Sequence, residues 1–95
     1  MRIGIVGATG AVGRQMITWL EERKIDVEEL RLFASSRSAG KKIPYLNQEI
    51  TIQEVVEGCF DGLDYVLGAV SNALSKEYRP MIEKAGAVYI DNSSA

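Results

Sequence analysis

The sequence contains no histidine and only one cysteine among its 95 residues. These two counts exclude a Ser-His-Asp triad, a Cys-His pair, a zinc cluster and a disulfide framework within the chain. No apolar run approaches the roughly 20 residues that a membrane span requires, and no segment has the pattern of a secretory signal. We therefore predict no catalytic residue, no metal site and no membrane association, and a cytoplasmic location in which the thiol stays reduced.

An excess of positive charge is also missing. The chain carries 11 basic and 13 acidic residues, for a formal net charge of −2. This balance argues against nucleic acid as a partner, because phosphate backbones are bound by clustered cations. Hydrophobic residues make up 46% of the chain, which is typical of a folded domain. The length predicts one domain over residues 1–95, since domains usually have roughly 100–200 residues.

Strand-like and helix-like patterns alternate along the chain. The β-branched run Arg2–Val6 predicts a buried strand, and a period of 3.6 residues from Ala11 to about Arg23 predicts an amphipathic helix. The apolar face of this helix comprises Val12, Met16, Trp19 and Leu20. We therefore expect Trp19 to pack in the core. The other predicted elements are a strand at 30–34, a hairpin at 41–52, a helical turn at 53–57, a strand at 65–70, a helix capped by Ser75 and closed by Gly86, and a strand at 87–90.

This order of elements predicts the fold class. Strands that alternate with helices favour an α/β protein with a Rossmann-like, doubly wound, mostly parallel sheet and a small hairpin insertion. Pro44 lies in the first strand of the hairpin. Proline cannot donate a hydrogen bond to a neighbouring strand, so this strand is expected at an edge of the sheet.

Three glycines, Gly7, Gly10 and Gly13, follow the first strand at intervals of three. In dinucleotide-binding folds the first allows a sharp turn, the second lets a pyrophosphate approach the backbone, and the third lets the helix pack on the strand. The helix N-terminus adds free N–H groups, and the Thr9 hydroxyl can donate to a phosphate oxygen. A tight turn that binds no ligand is the alternative interpretation.

The residues after the second strand indicate which nucleotide is bound. The segment 35–41 contains Ser36, Arg37 and Ser38 and has no carboxylate. An acidic residue here would bind the ribose 2′-hydroxyl of NAD, whereas arginine with serine hydroxyls suits the 2′-phosphate of NADP. We therefore predict NADP as the cofactor; the alternative is that Arg37 is a solvated loop charge.

The chain resembles the N-terminal domain of the aspartate-semialdehyde dehydrogenase family. The resemblance rests on Gly-Ala-Thr-Gly-Ala-Val-Gly at 7–13, Ser-Arg-Ser-Ala-Gly at 36–40, Ser-Lys-Glu-Tyr at 75–78 with Pro80, and Asp-Asn-Ser-Ser-Ala at 91–95. It implies a protein in which NADPH reduces an aspartyl phosphate to the semialdehyde. It assigns Thr9, Gly10, Ala11 and Val12 to the pyrophosphate and adjoining ribose, and Arg37 and Ser38 to the 2′-phosphate.

The sequence departs from the family pattern in two respects. Residues 69–73 read Ala-Val-Ser-Asn-Ala, without the two glycines that the family commonly has, so Ser71 and Asn72 are not predicted sites. The family's substrate-binding arginine, nucleophilic cysteine and acid–base histidine are absent, and Cys59 lies in an acidic turn typical of a structural thiol. We therefore expect a partial dehydrogenase without its catalytic domain, inactive alone, with exposed apolar surface.

The resemblance implies that the full-length protein acts on a small-molecule substrate and is a homo-oligomer. Two alternatives remain open from the sequence. One is the N-terminal domain of an N-acetyl-glutamyl-phosphate reductase, which has a similar glycine loop. The other is a dinucleotide-sensing module without catalysis.

Overall fold

A computed structural model of the chain describes residues 1–23 and 26–91. Within these ranges, the order of strands and helices is the predicted one except for the helical turn at 53–57. The elements are β1 (Arg2–Val6), α1 (Ala11–Glu22), β2 (Glu29–Ala34), β3 (Lys42–Tyr45), β4 (Gln48–Glu54), β5 (Tyr65–Gly68), α2 (Asn72–Lys84) and β6 (Val88–Asp91). No helix in the described ranges combines the length and apolar character needed to cross a membrane.

The described strands form one sheet in the order β3-β4-β2-β1-β5-β6. All neighbouring pairs are parallel except β3 and β4, which form an antiparallel hairpin at one edge. The chain builds outward from β1 to β2 and then returns to add β5 and β6 on the other side. This reversal is the switch point of a doubly wound sheet, so the predicted fold class is confirmed. Pro44 lies in the edge strand β3, as predicted.

Two apolar cores lie on opposite faces of the sheet. Alternate residues of β1 separate them, because Ile3 and Ile5 face α1 and the hairpin whereas Val6 faces α2. The first core also contains Ile17, Leu20, Leu30, Leu32, Ile43, Tyr45 and Ile52. The second contains Phe33, Phe60, Leu63, Val66, Ile82 and Ala87. Each helix therefore covers a different face, as right-handed crossovers in opposite directions require.

The segment 53–57 is not a helical turn. Strand β4 continues to Glu54 because Gln53 and Glu54 pair with Phe33 and Ala34 of β2. The turn follows instead at 57–62. The strand predicted at 65–70 ends at Gly68, and the last strand begins at Val88 rather than at residue 87.

The predicted start of α2 is also wrong. Ser71, not Ser75, is the N-cap, and its hydroxyl accepts a hydrogen bond from the Leu74 amide at 3.4 Å. The end of the helix is close to the prediction. Gly86 follows the C-cap Ala85 with φ +84°, a left-handed conformation that favours glycine after a helix.

Trp19 is not in the core. Its side chain is 47% exposed, and the buried residues of α1 are Gly13, Ile17 and Leu20. The buried face of α1 is therefore rotated from the predicted face, so that Ile17 and Leu20 point into the core and Trp19 lies at its margin. The Arg23 guanidinium lies 4.9 Å from the centre of the Trp19 ring, which borders the exposed part of the sheet beside Tyr65, Leu67 and Ile90.

One half of the sheet exposes apolar side chains, as expected. Ile90 pairs with Leu67, which pairs with Ile5, so these residues share the face on which α1 lies. Helix α1 contacts the β1–β2 half of this face, whereas Val88 and Ile90 are 55% and 48% exposed. The exposure follows from topology, because α2 covers the opposite face.

The orientation of α1 leads to a prediction about stability. Replacing Trp19 with Gln should lower the free energy of unfolding by about 1 kcal/mol or less, because the ring is half exposed. Replacing Leu20 with Ala should lower it by about 2–5 kcal/mol, because that side chain fills the core. Urea unfolding measures both values, and a larger loss at Trp19 than at Leu20 would contradict the observed orientation of α1.

Candidate functional site

The glycine loop leaves β1 through a sharp turn at Gly7. Gly7 has φ +82°, and the amides of Gly7 and Ala8 both donate to the Phe33 carbonyl, at 2.9 and 3.0 Å. A Cβ added at Gly7 would overlap the Ala69 carbonyl and lie 2.9 Å from Cγ1 of Val70. Both the backbone conformation and the close contact with the loop after β5 therefore require glycine.

Gly13 lies in the first turn of α1 and is buried. A Cβ added there would overlap the Gly7 carbonyl and lie 2.8 Å from Cα of Ala8. Helix α1 can approach the loop this closely only because residue 13 has no side chain. The third glycine therefore has the packing role that the sequence predicts.

Gly10 differs from the other two glycines. It is the exposed N-cap of α1, with φ −75° and ψ 169°, a conformation open to most residues. The nearest atom to an added Cβ would be the Gly7 carbonyl oxygen at 3.6 Å, an ordinary van der Waals distance. Neither the backbone nor the packing of the described chain requires glycine here. Its effect is to keep the outer surface of the loop open above the helix N-terminus.

The N-terminus of α1 has the electrostatic character of an anion site. Gly10 supplies no side-chain cap, and the first turn contains no acidic residue. The first amides of a helix have no partners within the helix and carry partial positive charge. Arg14 adds a cation beside the loop, since its Nε donates to the Thr9 carbonyl at 3.3 Å. The predicted residues Ala11 and Val12 begin the helix and are exposed.

A crevice of about 330 Å³ opens at the carboxyl ends of β1 and β2. It brings together the glycine loop, the end of β2, the loop after β5 and the first turns of α2. The lining residues are Val6, Gly7, Thr9, Phe33, Ala34, Ser35, Val55, Val70, Leu74 and Tyr78. In open α/β sheets this edge, at the reversal of strand order, is where ligands bind.

Ser36, Arg37 and Ser38 lie in the turn that continues from Ser35, a crevice residue. Ser36 and Arg37 are exposed, and the turn is closed by a hydrogen bond from the Ser38 amide to the Ser35 carbonyl at 2.9 Å. None of the ion pairs within the described ranges involves Arg37. Arg37 therefore follows a crevice residue by two positions, is exposed, and forms no ion pair in the part of the chain that the structure describes.

Sequence reasoning did not identify the α2 wall of the crevice. Leu74 and Tyr78 are one helical turn apart and face it together, next to Val70. The signal was the position of α2, which starts directly after a strand at the switch point. Ser71 and Asn72, which were not predicted as sites, do not line the crevice. The predicted loop residues 92–95 lie outside the described part of the chain.

Cys59 has the properties of a structural thiol. It is partly buried next to the second core, and burial raises the pKa of its side chain. Its carbonyl accepts a hydrogen bond from Arg31 Nη1 at 3.1 Å, which fixes the turn. Among the described residues, no group of three His, Cys, Asp or Glu side chains could hold a metal ion. That Cys59 is not a nucleophile stays a prediction.

Comparison with known proteins gives consistent results. The family profile "Semialdehyde dehydrogenase, NAD binding domain" matches residues 2–95. The aspartate-semialdehyde dehydrogenase of Bacillus subtilis is 41% identical over 95 residues, which are all of this chain and 28% of that protein. The Aquifex aeolicus enzyme of the same name is 46% identical, with 99% and 28% covered.

Solved structures show the same similarity. Aspartate semialdehyde dehydrogenase II of Vibrio cholerae, complexed with ASA, is 39% identical and has a TM-score of 0.93. The match covers 98% of this chain and 30% of the Vibrio cholerae chain. Aspartate semialdehyde dehydrogenase with NADP from Candida albicans is 30% identical, with a TM-score of 0.76 and coverage of 98% and 29%. The chain therefore spans less than a third of the length of these relatives.

The different surroundings of two glycines make a folding prediction. Gly13→Ala should lower the free energy of unfolding by about 2 kcal/mol or more, because the new methyl group overlaps backbone that cannot move aside. Gly10→Ala should change it by less than about 1 kcal/mol, because the space is open and the φ is ordinary. Urea unfolding of both variants tests this, and equal losses would contradict the separate roles.

The raised pKa of Cys59 predicts that its thiol reacts slowly with an alkylating reagent. At pH 8 the folded chain should react with iodoacetamide more slowly than the same chain unfolded in urea, because less thiolate is present and access is reduced. Since burial raises the pKa, the rate should keep increasing with pH above the range in which an exposed thiol levels off. A folded chain that reacts faster than the unfolded one would identify an activated cysteine instead.

Proposed function

We infer the function from one premise: this chain belongs to the semialdehyde dehydrogenase family, as its NAD-binding domain. Its similarity to aspartate-semialdehyde dehydrogenases covers the whole chain. We propose that the crevice binds NADP, with the pyrophosphate over the N-terminus of α1 and the adenosine ribose beside the turn after β2. The observation that carries this proposal is the open surface at Gly10, which the fold itself does not require.

The residues present fit a pyrophosphate at this position. The amides of Ala11, Val12 and Gly13 are the first of α1, and Gly10 before them has no side chain that could cap them in place of a phosphate. Thr9 lines the crevice, and its hydroxyl adds one more donor. Gly7 contributes differently, because it allows the turn that brings Thr9 to the crevice. The protein thus supplies a preorganised set of donors and an adjacent cation at Arg14.

The preference for NADP over NAD is assigned to Arg37, Ser36 and Ser38. The turn contains no carboxylate that would repel a 2′-phosphate or bind a 2′-hydroxyl. A guanidinium forms charge-assisted hydrogen bonds with phosphate oxygens, and the two hydroxyls add neutral ones. The Candida albicans relative, whose structure is described as being with NADP, supports this choice.

The activity of a longer protein is part of the proposal. The proposed reaction is reduction of aspartyl phosphate to aspartate semialdehyde, on the route to lysine, threonine and methionine, in which NADPH would supply the hydride and inorganic phosphate would be released. The Vibrio cholerae relative complexed with ASA supports such a small-molecule substrate. We propose that the longer protein is a cytoplasmic homo-oligomer and that the 95-residue chain is inactive alone, because its single cysteine, Cys59, has a raised pKa and histidine is absent.

Calorimetry with NADP and NAD tests the cofactor assignment. The unmodified chain should bind NADP about tenfold or more tightly than NAD, because a charge-assisted hydrogen bond contributes about 1.5–3 kcal/mol. Arg37→Ala should remove most of this preference while leaving NAD affinity nearly unchanged. Gly10→Ala should weaken both nucleotides, because its methyl group obstructs the pyrophosphate that they share.

Arg23→Ala is the matched control, since it removes an exposed arginine at the far end of α1. It should leave both affinities unchanged. Equal binding of NADP and NAD by the unmodified chain would refute the role of Arg37. Full NADP affinity in a folded Gly10→Ala variant would refute the position of the pyrophosphate.

A further inference from the structure

The two halves of helix α2 are held in different ways. In the second half, Ile82 is fully buried, and Met81 and Ala85 pack against the same core. In the first half, residues 72–74 are exposed, and Ser75 is the one buried polar residue in the described ranges. The first turn of α2 is therefore anchored by the polar side chain of Ser75, and apolar contact with the core begins one turn later, at Tyr78.

Ser75 connects α2 to β6 because its hydroxyl forms two hydrogen bonds, one donated and one accepted. Its Oγ lies 2.8 Å from the Tyr89 hydroxyl and donates to Asp91 Oδ2 at 2.9 Å. Because a carboxylate only accepts, the single serine proton is used on Asp91, and Tyr89 donates to Ser75. Burial raises the pKa of the Tyr89 phenol, so it keeps the proton that it donates.

Two neighbouring residues hold Tyr89 in this position. A Cβ added at Gly68, the last residue of β5, would overlap the Tyr89 hydroxyl and lie 2.6 Å from Cζ of the ring. The ring therefore reaches Ser75 only because Gly68 has no side chain. On the other side, the Arg79 guanidinium lies 5.1 Å from the ring centre, and its Nη2 lies 3.5 Å from Asp91 Oδ2.

An adjacent side of the same helical turns forms the crevice wall. Leu74 and Tyr78 line the crevice, whereas Ser75 and Arg79, each one position later, bond to β6. A displacement of these turns would therefore move Leu74 relative to the glycine loop. The hydrogen bonds of Ser75 act on the side of α2 that faces β6.

We propose that Ser75, Tyr89 and Asp91 are positioning residues for nucleotide binding, which hold the α2 wall at the correct distance from the glycine loop. This inference rests on the proposed function, since the crevice is taken to hold NADP. None of the three residues lines the crevice. Their removal loosens one wall of it and leaves the apolar anchor of α2 at Ile82 in place.

The experiment compares two ways of weakening the same helix. Tyr89→Phe removes one hydroxyl and keeps the ring, whereas Ile82→Val trims the apolar anchor at the other end. Tyr89→Phe should weaken NADP binding about three- to tenfold, because the wall it releases is no longer preorganised. Ile82→Val should lower stability to urea and leave NADP affinity within about twofold, because it does not touch the first turns of α2.

Ser75→Ala and the double variant Ser75→Ala/Tyr89→Phe provide an internal check. Both single changes break the same hydrogen bond, so the double variant should bind NADP as weakly as Ser75→Ala alone rather than with the product of the two losses. Multiplicative losses would overturn the proposal. So would a folded Tyr89→Phe variant with unchanged NADP affinity.

Hydrogen exchange without nucleotide separates this inference from the proposed function. Tyr89→Phe should speed exchange of amides in the first half of α2 and leave the second half protected. Suppose that the unmodified chain binds no NADP and that Tyr89→Phe still speeds exchange only in the first half of α2. The proposed function then fails, and the hydrogen bonds keep their anchoring role without an effect on NADP. Unchanged or uniformly faster exchange along α2 overturns the positioning role itself.

Discussion

The contact between the first turn of α1 and the Gly7 carbonyl is the constraint on which the rest of the site depends. It exists because Gly13 has no side chain, and it brings the positive end of the helix to the carboxyl end of β1. The amides of Gly7 and Ala8 in turn bond to the Phe33 carbonyl, which ties the loop to the end of β2. Helix, loop and the two strands are thus connected through these contacts, and Gly10 lies exposed at their surface.

Much of this arrangement could be predicted from the sequence because its causes are local. The spacing of Gly7, Gly10 and Gly13 indicates both the turn and the helix start, and alternating element types predict the doubly wound sheet. The predictions that were wrong concern residues whose environment depends on contacts with residues distant in the sequence. Ser71 and Ser75 both precede or begin a helical pattern, but only the positions of Tyr89 and Asp91 make Ser75 a buried anchor. Helical periodicity also could not decide that Trp19 lies outside the core.

The site combines parts that contribute to folding with parts that do not. Gly7 and Gly13 are required by backbone geometry and packing, whereas Gly10 and the exposed Arg37 have no such requirement within the described structure. Helix α2 shows the same division along its length, with an apolar anchor at Ile82 and a polar one at Ser75. Substitutions that lower nucleotide affinity should therefore differ from those that lower the free energy of unfolding.

We propose that a nucleotide pyrophosphate binds over the N-terminus of α1. A titration of the nitrogen-15-labelled chain with NADP, followed by amide chemical shifts, tests this claim most directly. We expect the largest shifts at Gly10, Ala11, Val12 and Gly13, with a second group in the turn that contains Arg37. Saturable NADP binding that leaves those loop and helix amides unshifted would contradict it.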